Sequence, residues 1–371
     1  MNIYINCSEL GRAAWSGTQF YTFNTICEMA ALVPSADLHL HMNAQLPQRG
    51  ADTCRFIQSN ITSHLVRQRV AFHLSIPWKI LRTGSGVYYK MTGGFNRNIP
   101  IPCPVVGLVY DCARFTHPNH FGVTDPAGER REITRRFRRY AGIITISEAI
   151  RNEVAELFKF PHDRIFVAYP GIRESLENGD HQRPPWLPEG PFILMPNPGR
   201  GSKNWQTVIP AFGLWAASGA APDGIRLVLG GDLRDQAGAI EEAILRLPSE
   251  LRGRVLKPGF LSEGDFRYLY HHALFCAAPS EYEGFGLPVA EAMAHGCPSV
   301  LSDIPVYREI AEGAAVFIPL GSAERLAEGF AALAQGNVRE RLSAEALRLA
   351  ARFRWRRTAE STLEALRRCA S

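Results

Sequence analysis

The stretch PSEYEGFGLPVAEAMAHGCPSVLSD, Pro279 to Asp303, sets two glutamates, Glu283 and Glu291, eight residues apart around Gly-Phe-Gly-Leu-Pro. Before it, Leu274 to Ala277 reads as a buried strand that Pro279 and Ser280 end. After it, Pro288 fits the first turn of a helix, where its missing N–H costs nothing, and the helix runs Val289 to His295 and stops at Gly296. Glu283 is thus expected in a loop and Glu291 on a helix. Gly284 and Gly286 let the backbone approach a ligand closely, and the free N–H groups at a helix start attract phosphate. Glu291 is placed to accept hydrogen bonds from vicinal hydroxyls such as a ribose's, leaving Glu283 for the other end of the same ligand. A ligand with ribose, phosphate and a further hydroxylated group is a nucleotide sugar. The alternative is plain helix physics: a glutamate in the first turns is favoured by the macrodipole alone, and Gly-x-Gly turns are common.

Strand, turn and helix alternate on both sides of this stretch. Apolar runs suited to buried strands occur at Met1 to Cys7, Val105 to Tyr110, Gly142 to Ser147 and Ile165 to Ala168. They recur at Phe192 to Met195, Arg226 to Gly230, Val255 to Lys257, Leu274 to Ala277 and Pro298 to Leu301. Strands alternating with helices predict parallel α/β layers, here twice over. Between the two sets, Arg173 to Phe192 is crowded with proline, glycine and charge and has no periodicity, the composition of a linker. The expected organisation is a first Rossmann-like domain over 1–172, which binds acceptor, and a linker over 173–190. A second Rossmann-like domain over 191–350 binds the nucleotide sugar. Residues 351–371 are expected in a helix crossing back to the first domain, the end of one long helix from Ser343 to Arg368. Parallel sheets facing each other would form a cleft at the carboxyl ends of their strands, where open α/β sheets bind ligands.

Three further segments point to the same ligand. In FILMPNPGRGSKNWQTVIPAF, Phe192 to Phe212, a strand gives way to a loop with Arg200 and Lys203, cations able to neutralise a diphosphate leaving group. No Asp-x-Asp occurs in the chain, so a metal is not expected to carry that charge, and no cofactor is expected. The other reading is surface charge on a solvated loop. In SELGRAAWSGTQFYTFNTICEMAAL, Ser16-Gly17-Thr18 reads as a phosphate-facing or acceptor-facing turn, or as a turn and nothing more. In GLVYDCARFTHPNHFG, Asp111 follows a strand and His117 precedes Pro118. Either could orient or deprotonate an acceptor hydroxyl, although a loop histidine is more often structural.

With 371 residues, 46% hydrophobic and 21% charged, the chain is ordinary for a soluble globular protein of two domains. Its eight cysteines are scattered, without C-x-x-C or zinc spacing, and read as reduced thiols of a cytosolic protein. The segment MNIYINCSEL lacks the form of a signal peptide, and no apolar run approaches the ~18 to 20 residues of a spanning helix. The expected location is the cytoplasm, at the inner face of a membrane if the basic segments make contact there. Arg130, Arg131, Arg135, Arg136, Arg138 and Arg139 lie within ten residues. Between His64 and Lys90, Arg67, Arg69, Lys79, Arg82 and Lys90 interleave with Phe72, Trp78, Tyr88 and Tyr89. The first segment fits an anionic membrane surface or a solvated helix face equally well. The second fits membrane or acceptor contact better than nucleic acid, which is not an expected partner.

Taken together, EGFGLPVAE with its E-x7-E spacing, followed by A-x-G-x-P-S-V-x-S-D-I-P-x-x-x-E, resembles the donor-binding signature of family 4 glycosyltransferases of the GT-B fold. The likeness extends to Ser202-Lys203-Asn204, to ITISE at 144–148, to YPGI at 169–172, and to GFL at 259–261, where Phe260 lies in the segment whose backbone meets the nucleobase. The resemblance implies retaining, metal-independent transfer of a sugar from a nucleotide donor. It assigns Glu291 to the donor ribose, Glu283 to the donor sugar, and backbone amides of Phe285, Gly286 and Leu287 to sugar and phosphate. Lys203 with Arg200 would bind the diphosphate, and Gly17 would approach it. Two departures stand out: Tyr110-Asp111 replaces the usual His-Asp, and the arginine that normally adjoins the lysine is displaced to Arg200. The expected reaction is hexose transfer, mannose from GDP-mannose favoured, to a glycan or lipid-linked oligosaccharide hydroxyl in polysaccharide assembly. UDP-glucose is the next donor, and a sugar-nucleotide epimerase or a non-catalytic nucleotide-sugar sensor are the other classes.

Overall fold

The computed structural model describes residues 1–7, 10, 17–34, 37–42, 62–65, 77–82, 84, 86–91, 101–121, 123–173, 182–199 and 201–370. Residues 174–181 of the predicted linker, and Arg200, lie outside them. The chain divides into two compact units, Met1–Gly171 with Arg354–Ser371, and Ile172–Phe353.

The first unit is built on a seven-stranded, all-parallel sheet. Its strands are β1 (Asn2–Asn6), β2 (Leu38–Met42), β3 (Thr62–Leu65), β4 (Gly86–Lys90), β5 (Val105–Val109), β6 (Gly142–Thr145) and β7 (Ile165–Val167), in the order β3-β2-β1-β4-β5-β6-β7. Parallel strands covered on both faces run as near-continuous apolar stretches, as VVGLV and GIIT do here. Helix α1 (Gly17–Leu32) follows β1, and α2 (Pro126–Phe137) carries the arginine run.

The second unit has six parallel strands: β8 (Phe192–Pro196), β9 (Arg226–Gly230), β10 (Val255–Leu256), β11 (Cys276–Ala278), β12 (Ser299–Ser302) and β13 (Ala315–Ile318), ordered β10-β9-β8-β11-β12-β13. Helix α3 (Trp205–Ala217) follows β8 and buries Trp205, Phe212 and Trp215 against β8, β9 and β11. Burial of each such aromatic side chain contributes about 1.5–3 kcal/mol. Helices α4 (Glu263–His272), α5 (Leu287–Ala294) and α6 (Pro305–Ala311) follow β10, β11 and β12. Strand order reverses between β8 and β11, and between β1 and β4 in the first unit; such switch points are where open sheets leave room for ligands.

Three sequence expectations change. The predicted single helix from Ser343 to Arg368 is two helices, one over Gly336–Ala350 and α7 (Trp355–Ala370). The break is fixed by Phe353, which is fully buried, packs edge-on against Phe285 at 5.1 Å, and accepts the Ile172 N–H. Helix α7 packs on α1, with Trp355 meeting Tyr21 edge-on at 5.9 Å. The second change is β4: Tyr88, Tyr89 and Lys90, read from the sequence as part of a surface contact, are buried in the middle of the sheet. Strands β2, β3, β4 and β13 lie where the sequence predicted none; in β2 the run LHLHM buries His39 and His41, which pattern alone counts as polar.

Candidate functional site

Lys203 and Glu283 come from the loops after β8 and β11, the two strands that flank the switch point of the second unit. The loop after β8 begins and ends with asparagines in the left-handed region, Asn197 (φ 53°) and Asn204 (φ 56°). Asparagine tolerates that conformation better than most residues. Between them Ser202 accepts the Glu281 N–H at 2.8 Å, which ties the two loops together. Lys203 Nζ pairs with Glu283 Oε1, and both side chains are largely buried.

Two more hydroxyls converge on that carboxylate. Ser280 Oγ donates to Glu283 Oε1 at 2.9 Å and the Tyr307 hydroxyl lies 3.2 Å from the same atom and 3.1 Å from Ser280 Oγ. Tyr307, from α6, is buried, and burial followed by the charge of Glu283 pushes its phenol well above the usual range, so it stays a neutral donor. Every hydrogen bond that Glu283 takes among the described residues ends on Oε1, leaving Oε2 able to accept. These groups line a small pocket with Met195, Pro196 and Val289.

The glycines of the opening motif set the backbone beside that carboxylate. Gly286 takes φ 90° and caps the start of α5, with Pro288 in its first turn. Phe285 is 2% exposed and anchors its side chain inward on Phe353. The N–H groups of Gly286 and Leu287 find no partner among the described residues. Glu291 lies one turn further along α5 and is buried. Arg173 Nε donates to its Oε1 at 2.7 Å and the Tyr270 hydroxyl to its Oε2 at 3.2 Å. Each glutamate is therefore held by one cation and one buried tyrosine. Phe260, in the turn between β10 and α4, is 82% exposed beside Gly259 at φ 75°.

The other candidates belong to the first unit. Gly17 opens α1 and is exposed. Tyr110, in the departure from His-Asp, sits against the β1/β4 switch point: its hydroxyl lies 2.8 Å from Thr22 Oγ1 and bonds the carbonyls of Thr18 and Met91 at 3.3 and 3.2 Å. Asp111 Oδ1 accepts the Ala113 N–H at 3.1 Å, and His117 Nδ1 lies 2.9 Å from Thr116 Oγ1. Sequence reasoning missed Tyr270, Tyr307, Ser280 and the pairing of Arg173. A buried tyrosine on a helix reads as core, and Arg173 sits at the edge of a segment without periodicity. Of the clustered arginines, Arg136 pairs with Glu132. Arg130, Arg131, Arg135, Arg138 and Arg139 are exposed on or just after α2 and take no ion pair among the described residues.

Residues 178–348 match the model of glycosyl transferases group 1. Over 231 residues the chain is 24% identical to the O-antigen chain mannosyltransferase RfbU of Salmonella typhimurium, spanning 62% of this chain and 60% of that protein. It is 27% identical over 238 residues to the O-antigen chain mannosyltransferase B of Escherichia coli, spanning 60% of this chain and 59% of the other. The matches thus span about three fifths of the length of these curated relatives. Among solved structures, Anabaena HepE in complex with UDP-glucose superposes with a TM-score of 0.74 at 17% identity, covering 99% of each chain. The lipopolysaccharide glycosyltransferase WaaG superposes with a TM-score of 0.65 at 14% identity, covering 98% of this chain and 99% of the other. The fold is GT-B, two Rossmann-like units each on a parallel sheet.

Proposed function

We propose that this chain is a retaining, metal-independent glycosyltransferase of family 4 type. It moves a hexose, mannose from GDP-mannose, to a hydroxyl of a glycan or lipid-linked oligosaccharide in polysaccharide biosynthesis. The observation that carries the reading is the pair of held carboxylates at the β8/β11 switch point, with Lys203 between the loops and unpartnered amides at the start of α5. Glu283 Oε2 meets a hydroxyl of the donor sugar, Glu291 the ribose, and the amides of Phe285, Gly286 and Leu287 the sugar and phosphate. Phe260 lies beside the base and Gly17 near the diphosphate. Lys203, with Arg200, stabilises the charge that grows on the departing diphosphate.

Retention is proposed to proceed by front-face attack. The acceptor oxygen bonds to the anomeric carbon as the glycosyl–phosphate bond breaks, and the leaving diphosphate takes the acceptor proton, with Asp111 and His117 as candidates to orient that hydroxyl. The mannosyl donor is supported by the two O-antigen mannosyltransferases. A second donor, UDP-glucose, is favoured by the likeness to HepE, whose structures hold UDP-glucose and UDP. The exposed arginines of α2 suit an anionic membrane that presents a lipid-linked acceptor.

Thermal unfolding of the full chain with GDP, UDP, GDP-mannose and UDP-glucose tests the donor. A ligand at 100 times its Kd stabilises by roughly 2.7 kcal/mol, so GDP and GDP-mannose should raise Tm and the uridine pair should not. The reverse pattern selects UDP-glucose, and no shift with any of the four sinks the reading. Donor incubated alone separates the other classes, since an epimerase would convert it, whereas a sensor would bind without releasing nucleoside diphosphate to any acceptor. An anomeric configuration in the product opposite to that of the donor would overturn retention.

A further inference from the structure

Only 5% of the Glu291 side chain is exposed, and burying a carboxylate is costly unless a cation pairs with it. Arg173 supplies that cation. Burial by itself would lower the guanidinium's pKa, but the charge and hydrogen bond of Glu291 outweigh it and leave the pKa raised. On its other side Arg173 Nη1 lies 3.6 Å from Glu263, at the start of α4, and Tyr270, seven residues further along the same helix, reaches Glu291 from α4 as well. Tyr270 is fully buried. Burial first, and Glu291 second, push its phenol well above the usual range, so it donates at any working pH.

A carboxylate has about four acceptor positions, two per oxygen. Arg173 occupies one on Oε1 and Tyr270 one on Oε2, so each oxygen keeps one position, a spacing that matches two vicinal hydroxyls. We propose that Arg173 and Tyr270 are positioning residues that hold the Glu291 carboxylate in place, so that its two oxygens each accept from one hydroxyl of the ribose of a nucleoside diphosphate. The proposal rests on the reading of Glu291 as the ribose contact. Neither residue touches the sugar; both act through the carboxylate.

The test is calorimetric titration of the full chain with GDP, UDP and their 2′,3′-dideoxy forms, using wild type, Arg173→Ala, Arg173→Lys and Tyr270→Phe. Wild type should bind the ribonucleotide it recognises roughly tenfold or more tightly than its dideoxy form, as hydrogen bonds to a charged group imply. Arg173→Ala should lose that preference by weakening for the ribonucleotide while its dideoxy affinity stays put. Arg173→Lys should recover part of it, and Tyr270→Phe should fall between. The ratio within one variant does not depend on how much of the sample is folded, and if the alanine variant does not fold, the lysine and phenylalanine variants decide. An unchanged ratio in the Arg173 variants overturns the proposal. Tighter ribonucleotide binding overturns it too, since Arg173 would then be a competitor for Glu291. No preference in wild type removes the ribose role of Glu291 itself, and the proposal with it.

Discussion

A Cβ on Gly286 would lie 2.7 Å from Cε1 of Tyr307, the residue whose hydroxyl lies 3.2 Å from Glu283 Oε1. The glycine between the two acids therefore serves two needs at once: it allows φ 90° at the start of α5, and it leaves room for the ring that holds the first acid. Gly286→Ala should destabilise the chain by about 1–3 kcal/mol and weaken donor binding in the same variant. Urea unfolding and nucleotide titration check both. Full stability in the variant would mean that the ring and loop shift at little cost.

Tyr307→Phe separates the hydroxyl from the ring. The core stays filled, so Tm should fall by no more than a few degrees, while Glu283 loses one of its three donors. Transfer is expected to slow by roughly tenfold with little change in donor KM, because Glu283 is read as meeting the sugar rather than the nucleotide. Steady-state kinetics decide it, and an equal rise in KM with unchanged kcat would contradict the assignment.

Lys203→Ala removes the cation between the two loops. Loss of about 100- to 1,000-fold in kcat/KM is expected if Lys203 stabilises charge on the leaving diphosphate. Lys203→Arg should keep part of the activity. An alanine variant that transfers at the wild-type rate would remove the electrostatic role.

Lys90 gives a pH signature that does not depend on any substrate. It is 4% exposed at the end of β4, Nζ 3.3 Å from the Tyr140 hydroxyl, and burial first and the charge of Arg136 second bring its pKa down to about 7. An unfolded lysine titrates near 10.4, so between about pH 7 and 10.4 the unfolded chain binds more protons and folding stability gains as pH rises. Below pH 7 both states are protonated and the full cost of burying the charge is present. Lys90→Met should therefore stabilise most at pH 7 and below. Its advantage should shrink by up to about 1.4 kcal/mol per pH unit on going up through this window. Urea unfolding of both proteins from pH 6.5 to 9.5 measures the difference, and a constant difference would show that Lys90 does not titrate there.

Replacement of Arg130, Arg131, Arg135, Arg138 and Arg139 by serine should leave stability nearly unchanged, since all five are exposed and take no ion pair among the described residues. Each basic residue near an anionic surface contributes about 1 kcal/mol, so binding to phosphatidylserine vesicles should drop at least tenfold and wild-type binding should weaken with salt. Wild-type binding that is equal on neutral vesicles, or absent, would argue against the membrane role.

Much of the fold was legible in the sequence because parallel strands, covered on both faces, are apolar throughout. VVGLV, GIIT, FILMP and SVLS announce themselves. GVYYK did not, since it ends in a lysine whose burial depends on Tyr140, a residue from elsewhere in the fold. Phe353 illustrates the same limit: nothing in its neighbours' periodicity says that it turns the chain, and its reason for doing so is the ring of Phe285 nearly seventy positions earlier.

By itself the sequence determined the α/β alternation, the loop-then-helix placement of Glu283 and Glu291, and the need for glycine between them, because propensity, periodicity and φ are local properties. Which groups hold those acids was decided only by the tertiary structure. Tyr307 and Lys203 reach Glu283, and Tyr270 and Arg173 reach Glu291, from separate strands, helices and the start of the second unit. A buried carboxylate is governed by the charges and donors within a few ångströms of it, and only the packed chain brings those together.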